Sequence, residues 1–378
     1  MAARPLTLGD RLREALARLV ASPRFQAWTG RFPPARPIAR YHTGALFDLC
    51  AGFVYSQILQ AFVETGLLDA LRAGPRSPGE LAAETTLSEA ALDRLLKAAV
   101  ALGLAAPRSA GRFGLGMRGA ALAGNAGAVA MVRHHKLLYQ DLADPVALLR
   151  GKAAPTRVGS YWSYVDAARP EGLPPDAVSD YSDLMAVSQA MVADIVAAEF
   201  PFRRYARILD VGGGTGTFLE RVAARAPKAE LTLFDLPSVA AQAEERLARI
   251  GPAARVRTRG GDFFTDPLPA GQDLITLVRV VYDHGDDNVL RLLEACRAAL
   301  SEGGALLIAE PMSGTAADRS SGARIADAYF GFYLLAMGSG ATRSPAEHAA
   351  LLRQAGFGRV EVLPTRTSAL VRLVLART

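Results

Sequence analysis

Apolar positions change their spacing along the chain, and that change divides it. Leu8, Leu12, Leu16, Leu19 and Val20 recur at helical spacing near the start. Leu46, Phe47, Leu49, Phe53, Val54, Ile58, Leu59 and Phe62 keep the same period over a face too broad for a surface helix. Such a face suits a core shared between subunits. Ser77-Pro78-Gly79-Glu80-Leu81 opens another helix, with Ser77 as cap and Pro78 in the first turn. Thr86-Leu87-Ser88-Glu89 opens the next, which ends near Gly103, and Arg112-Phe113-Gly114-Leu115 reads as a short strand. Three helices and a strand make a winged-helix pattern.

Residues 151–180, rich in Pro and Gly around Tyr161-Trp162-Ser163-Tyr164, read as a join. From about residue 205 the pattern alternates. Strands are expected at Arg207–Val211, Glu230–Phe234, Val256–Thr258, Asp273–Val278 and Ala305–Glu310, with helices at 217–226, 238–250 and 286–301. Repeated βαβ units predict an α/β fold with a parallel sheet covered on both faces. The expected organisation is a basic helical segment (1–43), a winged-helix-like, mainly helical domain (44–175) and a Rossmann-like domain (176–378).

Length and composition add limits. The 378 residues, half of them apolar, suffice for two domains. Two cysteines, Cys50 and Cys296, exclude a disulfide framework, and both are expected as buried thiols. No apolar run is expected to span a membrane, and residues 1–20 lack a signal-peptide core, so the expectation is cytoplasmic. The net charge is +6, and eight arginines fall in residues 1–40 against Asp10 and Glu14. A basic helix with an apolar stripe fits an anionic membrane surface, or it packs on a partner subunit with the arginines in solvent. A basic winged helix also raises DNA binding. Ser88–Val100 offers only Arg94 and Lys97, beside Glu89 and Asp93. A recognition helix needs several side chains that reach base edges. No nucleic-acid partner is expected.

The chemistry concentrates at Ile208-Leu209-Asp210-Val211-Gly212-Gly213-Gly214-Thr215-Gly216-Thr217. A strand, a glycine turn and a helix start form a nucleotide cradle. Gly212 and Gly214 allow the backbone to approach a ligand. The spacing is G-x-G-x-G rather than the dinucleotide G-x-G-x-x-G, and Asp210 would repel a pyrophosphate. An acid there suits a ligand bearing a cationic amino group, and S-adenosylmethionine (SAM) has one.

Ligands of such sheets bind at the carboxyl ends of the strands. Asp235, in Phe234-Asp235-Leu236-Pro237, lies 25 positions after Asp210, close to the spacing of a ribose-binding acid. Gly261-Asp262-Phe263-Phe264 offers Asp262 for an adenine amino group and Phe263 for the ring. Arg279, Tyr282, Asp283 and His284 follow the fourth strand, where a reacting group should lie. Glu310 ends an otherwise apolar strand, so it needs a partner or a function. Asp286-Asp287-Asn288 reads as a helix cap and not as a metal site. His134-His135 reads as a surface or pocket-lining pair, and no metal is expected.

Together these motifs resemble the plant-type small-molecule O-methyltransferases, from about Leu46 to the C-terminus. The resemblance implies a winged-helix dimerisation domain, a SAM-binding domain, a homodimer, and S-adenosylhomocysteine as product. Tyr181-Ser182-Asp183-Leu184-Met185-Ala186-Val187-Ser188 is similar to the family's Phe-Asn-x-x-Met-x-x-x-Ser segment. That match assigns Met185 to the sulfonium and Ser188 to the methionyl end. Leu46–Val54, Tyr139–Arg150, Glu310–Gly314 and Asp327–Tyr333 resemble the family's bacterial carotenoid branch. This implies methylation of a tertiary hydroxyl on an acyclic hydroxycarotenoid, with peripheral membrane association. The plant base in His-Asp-Trp-Ser-Asp is replaced by Tyr282 in Tyr282-Asp283-His284-Gly285-Asp286, and a further plant acid aligns with Thr342.

A phenol with pKa about 10 is a poor base at neutral pH. The expectation is therefore that Tyr282 hydrogen-bonds the acceptor oxygen, while His284, Asp283 or Glu310 takes the proton late. Phe330, Phe332, Tyr333, Leu334, Leu335 and Met337 fit a long apolar acceptor or, equally, a packed core. Rival readings are a methyltransferase for a polyketide phenol or a chlorophyll-type macrocycle, and a winged-helix regulator that binds SAM only as a ligand.

Overall fold

The computed structural model describes residues 7–151, 155–160, 189–314, 324–366 and 370–378. Contacts divide the chain into two compact units, Met1–Gly124 and Asn125–Thr378. The division falls after Gly124. The boundary expected at 175/176 lies outside the described residues.

The first unit is helical. Its elements are α1 (Leu8–Ala21), α2 (Pro23–Arg31), α3 (Arg36–Glu64), α4 (Leu67–Arg72), α5 (Pro78–Thr85) and α6 (Glu89–Ala101). Ser77 and Glu80 close a capping box on α5: the Ser77 hydroxyl accepts from the Glu80 N–H, and the Glu80 carboxylate accepts from the Ser77 N–H at 2.7 Å. Such a box satisfies donors that a helix start leaves orphaned. β1 (Ala105–Pro107) and β2 (Phe113–Leu115) pair antiparallel as the wing, and α7 (Met117–Ala123) follows. Leu67, Leu71, Leu81, Leu92 and Leu96 are buried at the centre.

Two sequence expectations change here. Cys50 is exposed, whereas Cys296 is buried in the second unit. The helical run Pro33–Glu64 is also long and apolar enough to cross a bilayer, by length and composition only, with mean hydropathy 1.4 in its most apolar window. Its only charged residues in the stretch Tyr41–Val63 are the single Asp48, which no residue-by-residue count of an unbroken apolar run captures.

The second unit begins with α8 (Ala126–Asp141) and α9 (Pro145–Leu149), and residues 189–199 are helical. A seven-stranded sheet follows in the order β5-β4-β3-β6-β7-β9-β8. Its strands are β3 (Arg207–Val211), β4 (Glu230–Asp235), β5 (Arg257–Gly260), β6 (Gln272–Val278), β7 (Leu300–Glu310), β8 (Arg359–Leu363) and β9 (Arg372–Arg377). Its helices are α10 (Thr217–Arg225), α11 (Pro237–Ala248), α12 (Asp286–Ala299), α13 (Gly331–Met337) and α14 (Pro345–Gln354).

Strands β3 to β7 are parallel, as alternation with helices requires, but β9 joins β7 antiparallel and β8 joins β9 antiparallel. The all-parallel expectation is thus corrected at one edge. Consecutive residues point to opposite faces. Ile208, Leu274 and Leu307 enter one core with Phe218 and Val222, while Leu209, Ile275 and Ile308 enter the other with Leu292 and Leu352. Burial on both faces explains why these strands read as continuous apolar runs. Order reverses at β3, whose neighbours are β4 and β6, so the crevice beyond their carboxyl ends is the natural ligand position.

Candidate functional site

The glycine turn between β3 and α10 takes left-handed backbone that favours glycine. Gly212, Gly214 and Gly216 have φ of 70°, 55° and 80°. A Cβ on Gly216 would lie 2.6 Å from Leu247 Cδ1, and one on Gly213 would lie 2.7 Å from Asp210 Oδ2. The turn therefore packs tightly on its own side, while Gly214 carries the side chain of Gln189 above it.

Asp210 is buried. Its Oδ1 accepts from Thr276 Oγ1 at 2.6 Å, and its Oδ2 has no hydrogen-bond partner among the described residues. Burial pushes its acid up to about 7, with the Thr276 hydrogen bond acting against the shift and Asp235 adding to it. A buried carboxylate with one oxygen unpaired is costly, and a cationic group would relieve the cost. Asp235 ends β4. Its Oδ2 accepts from Gly214 N and its Oδ1 from Leu236 N, each at 2.7 Å. Every carboxylate oxygen has a second lone pair, which leaves room for ribose hydroxyls. Burial raises Asp235, while those two backbone donors lower it. An unpaired acid, paired lone pairs and a glycine cradle fit an amino-acid-bearing nucleoside such as SAM.

The loop after β5 is held locally. Asp262 Oδ1 accepts from Phe264 N at 2.8 Å, and the Asp262 N–H donates to Asp266. Phe263 and Phe264 stand edge to face at 4.6 Å. The His284 ring packs on both, with centroids 5.7 and 5.2 Å away. It belongs with the aromatic pair on which an adenine would rest, while the Tyr282 ring packs on Phe330.

Arg279 directly follows β6 with φ of 58°, unusual for a residue with a side chain. Its Nη2 donates to Tyr282 Oη at 3.2 Å. Burial works against the Arg279 charge, but Tyr282, Asp283 and Tyr333 around it raise its value overall. Tyr282 is pushed up to about 12, burial outweighing the Arg279 cation, with Asp283 and Glu310 adding to the rise. Tyr282 is therefore a neutral donor and no base.

Glu310 ends β7 beside the Tyr282 loop. It is fully buried, and its Oε2 accepts from the Tyr282 backbone N–H at 3.1 Å. Its Oε1 lies 3.1 Å from His348 Nε2 without hydrogen-bond alignment. The buried acid thus meets the Tyr282 backbone on one side and His348 on the other. The helix after the loop is capped by Gly285, not by an acid, and Asp286 and Asp287 lie in its first turn.

Sequence reasoning missed Arg343, and it read the two histidines as a surface or pocket-lining pair without their tyrosine partners. Arg343 is 3% exposed and donates to Val281 O (3.1 Å), His284 O (2.7 Å) and Asp286 Oδ1 (2.8 and 2.6 Å). It thereby pins the Tyr282 loop, and no local spacing announces such a contact across 62 residues. His134 and His135 on α8 meet Tyr333 and Tyr329. Tyr282, Tyr333, Leu334 and Met337 share a buried cluster with Leu138, whereas Phe332 is exposed. Met185 and Ser188 lie outside the described residues. Among the described residues, no group of three or more His, Cys, Asp or Glu is arranged to hold a metal.

The sheet order, glycine turn and strand-end acids define a nucleoside-dependent transferase of the methyltransferase type. The O-methyltransferase domain family matches residues 139–358, and the O-methyltransferase dimerisation domain matches residues 47–122. The chain belongs to the O-methyltransferase family. Demethylspheroidene O-methyltransferase of Cereibacter sphaeroides is 44% identical over 92% of this chain and 90% of its own length. The enzyme of the same name from Rhodobacter capsulatus is 44% identical over 91% of this chain and 84% of its own. Among solved structures, the SAH-bound form of CalO1, a methyltransferase in calicheamicin biosynthesis, is 26% identical. It has a TM-score of 0.74 and covers 89% of this chain and 98% of its own.

Proposed function

We propose that this protein transfers the methyl group of SAM to the tertiary hydroxyl of an acyclic hydroxycarotenoid of the demethylspheroidene type, giving a methyl ether in spheroidene biosynthesis. Identity to two demethylspheroidene O-methyltransferases over nine-tenths of the chain carries this reading. SAM supplies an electrophilic methyl group on a sulfonium, whose thioether leaves without acid help.

The chain's own residues bind, orient and exclude water. Asp210, Gly212 and Gly214 hold the amino-acid end, with Met185 assigned to the sulfonium and Ser188 to the methionyl end by the family resemblance. Asp235 and Leu236 hold the ribose, and Asp262 and Phe263 hold the adenine. Arg279 fixes the Tyr282 phenol, whose proton then points to the acceptor oxygen. Asp283 adds negative charge beside that pair. Alignment of oxygen, carbon and sulfur supplies roughly 7–11 kcal/mol of the barrier.

The working form is a homodimer built on the N-terminal unit, where Leu46, Phe47, Leu49 and Phe53 are exposed on a single chain. The protein works in the cytoplasm at the face of the intracytoplasmic membrane. In its first helix Leu8, Leu12, Leu16 and Leu19 form an exposed apolar stripe, and residues 7–45 carry seven arginines against two acids. An apolar stripe beside cations fits an anionic lipid surface, from which a polyene arrives.

The test is turnover of methyl-labelled SAM with separate hydroxycarotenoid, phenol and chlorin acceptors. Label in a carotenoid methyl ether supports the reading, and label only in a phenol or chlorin refutes it. Tyr282→Phe should then lower kcat with bound SAM unaffected; full turnover would remove Tyr282 from the scheme.

A further inference from the structure

Methylating a neutral alcohol releases a proton, and Tyr282, Glu310 and His284 are each engaged with other groups. Tyr282 is a neutral phenol, Glu310 is sealed against the Tyr282 backbone, and the His284 ring lies on Phe263 and Phe264. Another pair of side chains stands beside the cluster. His134 Nε2 lies 2.7 Å from Tyr333 Oη, and His135 Nε2 lies 2.6 Å from Tyr329 Oη. The two contacts form rungs between α8 and the segment 329–333.

The rungs differ in what they can reach. His134 and Tyr333 are 8% and 7% exposed, whereas His135 and Tyr329 are only partly buried. Tyr329 lies in a π-helical turn, Ala326–Phe330, a distortion often found at functional sites. Its ring meets Phe330 edge to face at 5.0 Å, and Phe330 in turn packs on Tyr282. Burial raises the Tyr329 phenol, and the Arg279 cation and Tyr282 are within electrostatic reach of it.

We propose that Tyr329 and His135 receive the proton that the acceptor hydroxyl loses, with Tyr329 as the catalytic residue at the acceptor oxygen and His135 as the positioning residue that takes the charge through it. This rests on the methyltransferase reading above. As the acceptor oxygen gains its bond to the methyl carbon, its O–H bond breaks and that electron pair stays on oxygen. The proton moves to Tyr329 Oη while Tyr329 gives its own proton to His135 Nε2. The His135 imidazolium then returns the proton to water. No oxidant or further reactant is needed. The relay requires His135 as the Nδ1–H tautomer, with Nε2 accepting from Tyr329.

Burial lowers the His135 value, so the ring is neutral and able to accept at neutral pH. His134 is pushed down to about 4 by burial and then by His135, which makes it the poorer acceptor. Among the described residues, Arg133, His134, Lys136 and Tyr139 accompany His135 on its own helix, Tyr329 faces it, and Arg279 and Tyr282 lie within electrostatic reach of Tyr329.

The experiment uses full-length dimer with His135→Asn and Tyr329→Phe, and His134→Asn as control. The acceptor is whichever of a hydroxycarotenoid and a phenol the unaltered enzyme turns over. At saturating substrates kcat should fall by about 10²–10⁴-fold in the first two variants, with SAM binding and dimerisation kept. The acid limb of the kcat profile should disappear in His135→Asn and persist in His134→Asn. Nitrogen NMR of the free protein should show His135 protonated on Nδ1. Unchanged kcat in His135→Asn, or a proton on Nε2, overturns the relay while leaving the carotenoid reading intact. Turnover of the phenol alone overturns the carotenoid reading, and the relay is then judged on that phenol. Turnover of neither overturns both.

Discussion

Replacing Arg343 with methionine tests whether the Tyr282 loop is built or merely adjacent. Methionine fills much of the same volume but donates no hydrogen bond. Val281 O would lose one donor and keep another, the His284 N–H at 3.2 Å, so its loss is one net hydrogen bond, about 0.5–1.5 kcal/mol. His284 O loses the Arg343 donor in a half-buried place, which costs about 1–3 kcal/mol. The ion pair with Asp286 adds little, because that carboxylate is 73% exposed. The total, about 1.5–4.5 kcal/mol, corresponds to roughly 10- to 1,600-fold in the ordered population of the loop. Steady-state kinetics and thermal unfolding on the same preparation measure it. kcat/KM should fall at least about tenfold and the unfolding temperature by several degrees. Arg343→Met with both quantities unchanged would refute the reasoning, and Arg343→Lys should fail nearly as badly, since one ammonium cannot span the same acceptors.

Asp210 makes ligand-free stability fall as pH rises. Its folded value of about 7 exceeds the ordinary 3.8, so between those values the folded chain holds a proton that the unfolded chain has released. The stability lost over that window is on the order of 4 kcal/mol. Asp210→Asn should flatten it in denaturant titrations at either end of the window, while weakening SAM in calorimetry; an unchanged slope counts against the buried acid. Gly216→Ala adds a Cβ at φ 80° and 2.6 Å from Leu247, so chemical denaturation should show a loss of about 1–3 kcal/mol, and a neutral result would mean the turn relaxes. Deleting residues 1–35 should abolish sedimentation with anionic vesicles but leave turnover of detergent-dispersed substrate; persistent sedimentation would place the lipid contact elsewhere.

The sheet was readable because its strands are buried on both faces and so appear as unbroken apolar runs such as Leu306-Leu307-Ile308-Ala309. β8 was not: Arg359–Leu363 is a half-exposed edge strand carrying Arg359 and Glu361, and such mixed sequence carries little strand signal; β9 carries the buried apolar run 373–376 but lies outside the βαβ alternation. The glycine turn and strand-end acids were legible because ligand chemistry demands residue types at fixed offsets from a strand. The acceptor side was not, since His135 meets Tyr329 across 194 positions and Arg343 meets Val281 across 62. Glu310 shows the limit from the other direction. Its burial in an apolar strand signalled a partner, but sequence could not tell a backbone N–H from a reacting hydroxyl.

Incubating the purified dimer with methyl-labelled SAM and an acyclic carotenoid bearing a tertiary hydroxyl tests the central claim most directly. The account predicts one labelled methyl ether per hydroxyl methylated, with stoichiometric S-adenosylhomocysteine and no product from the carotenoid that lacks the hydroxyl. S-adenosylhomocysteine release with phenol or chlorin acceptors, and none with the carotenol, would contradict it.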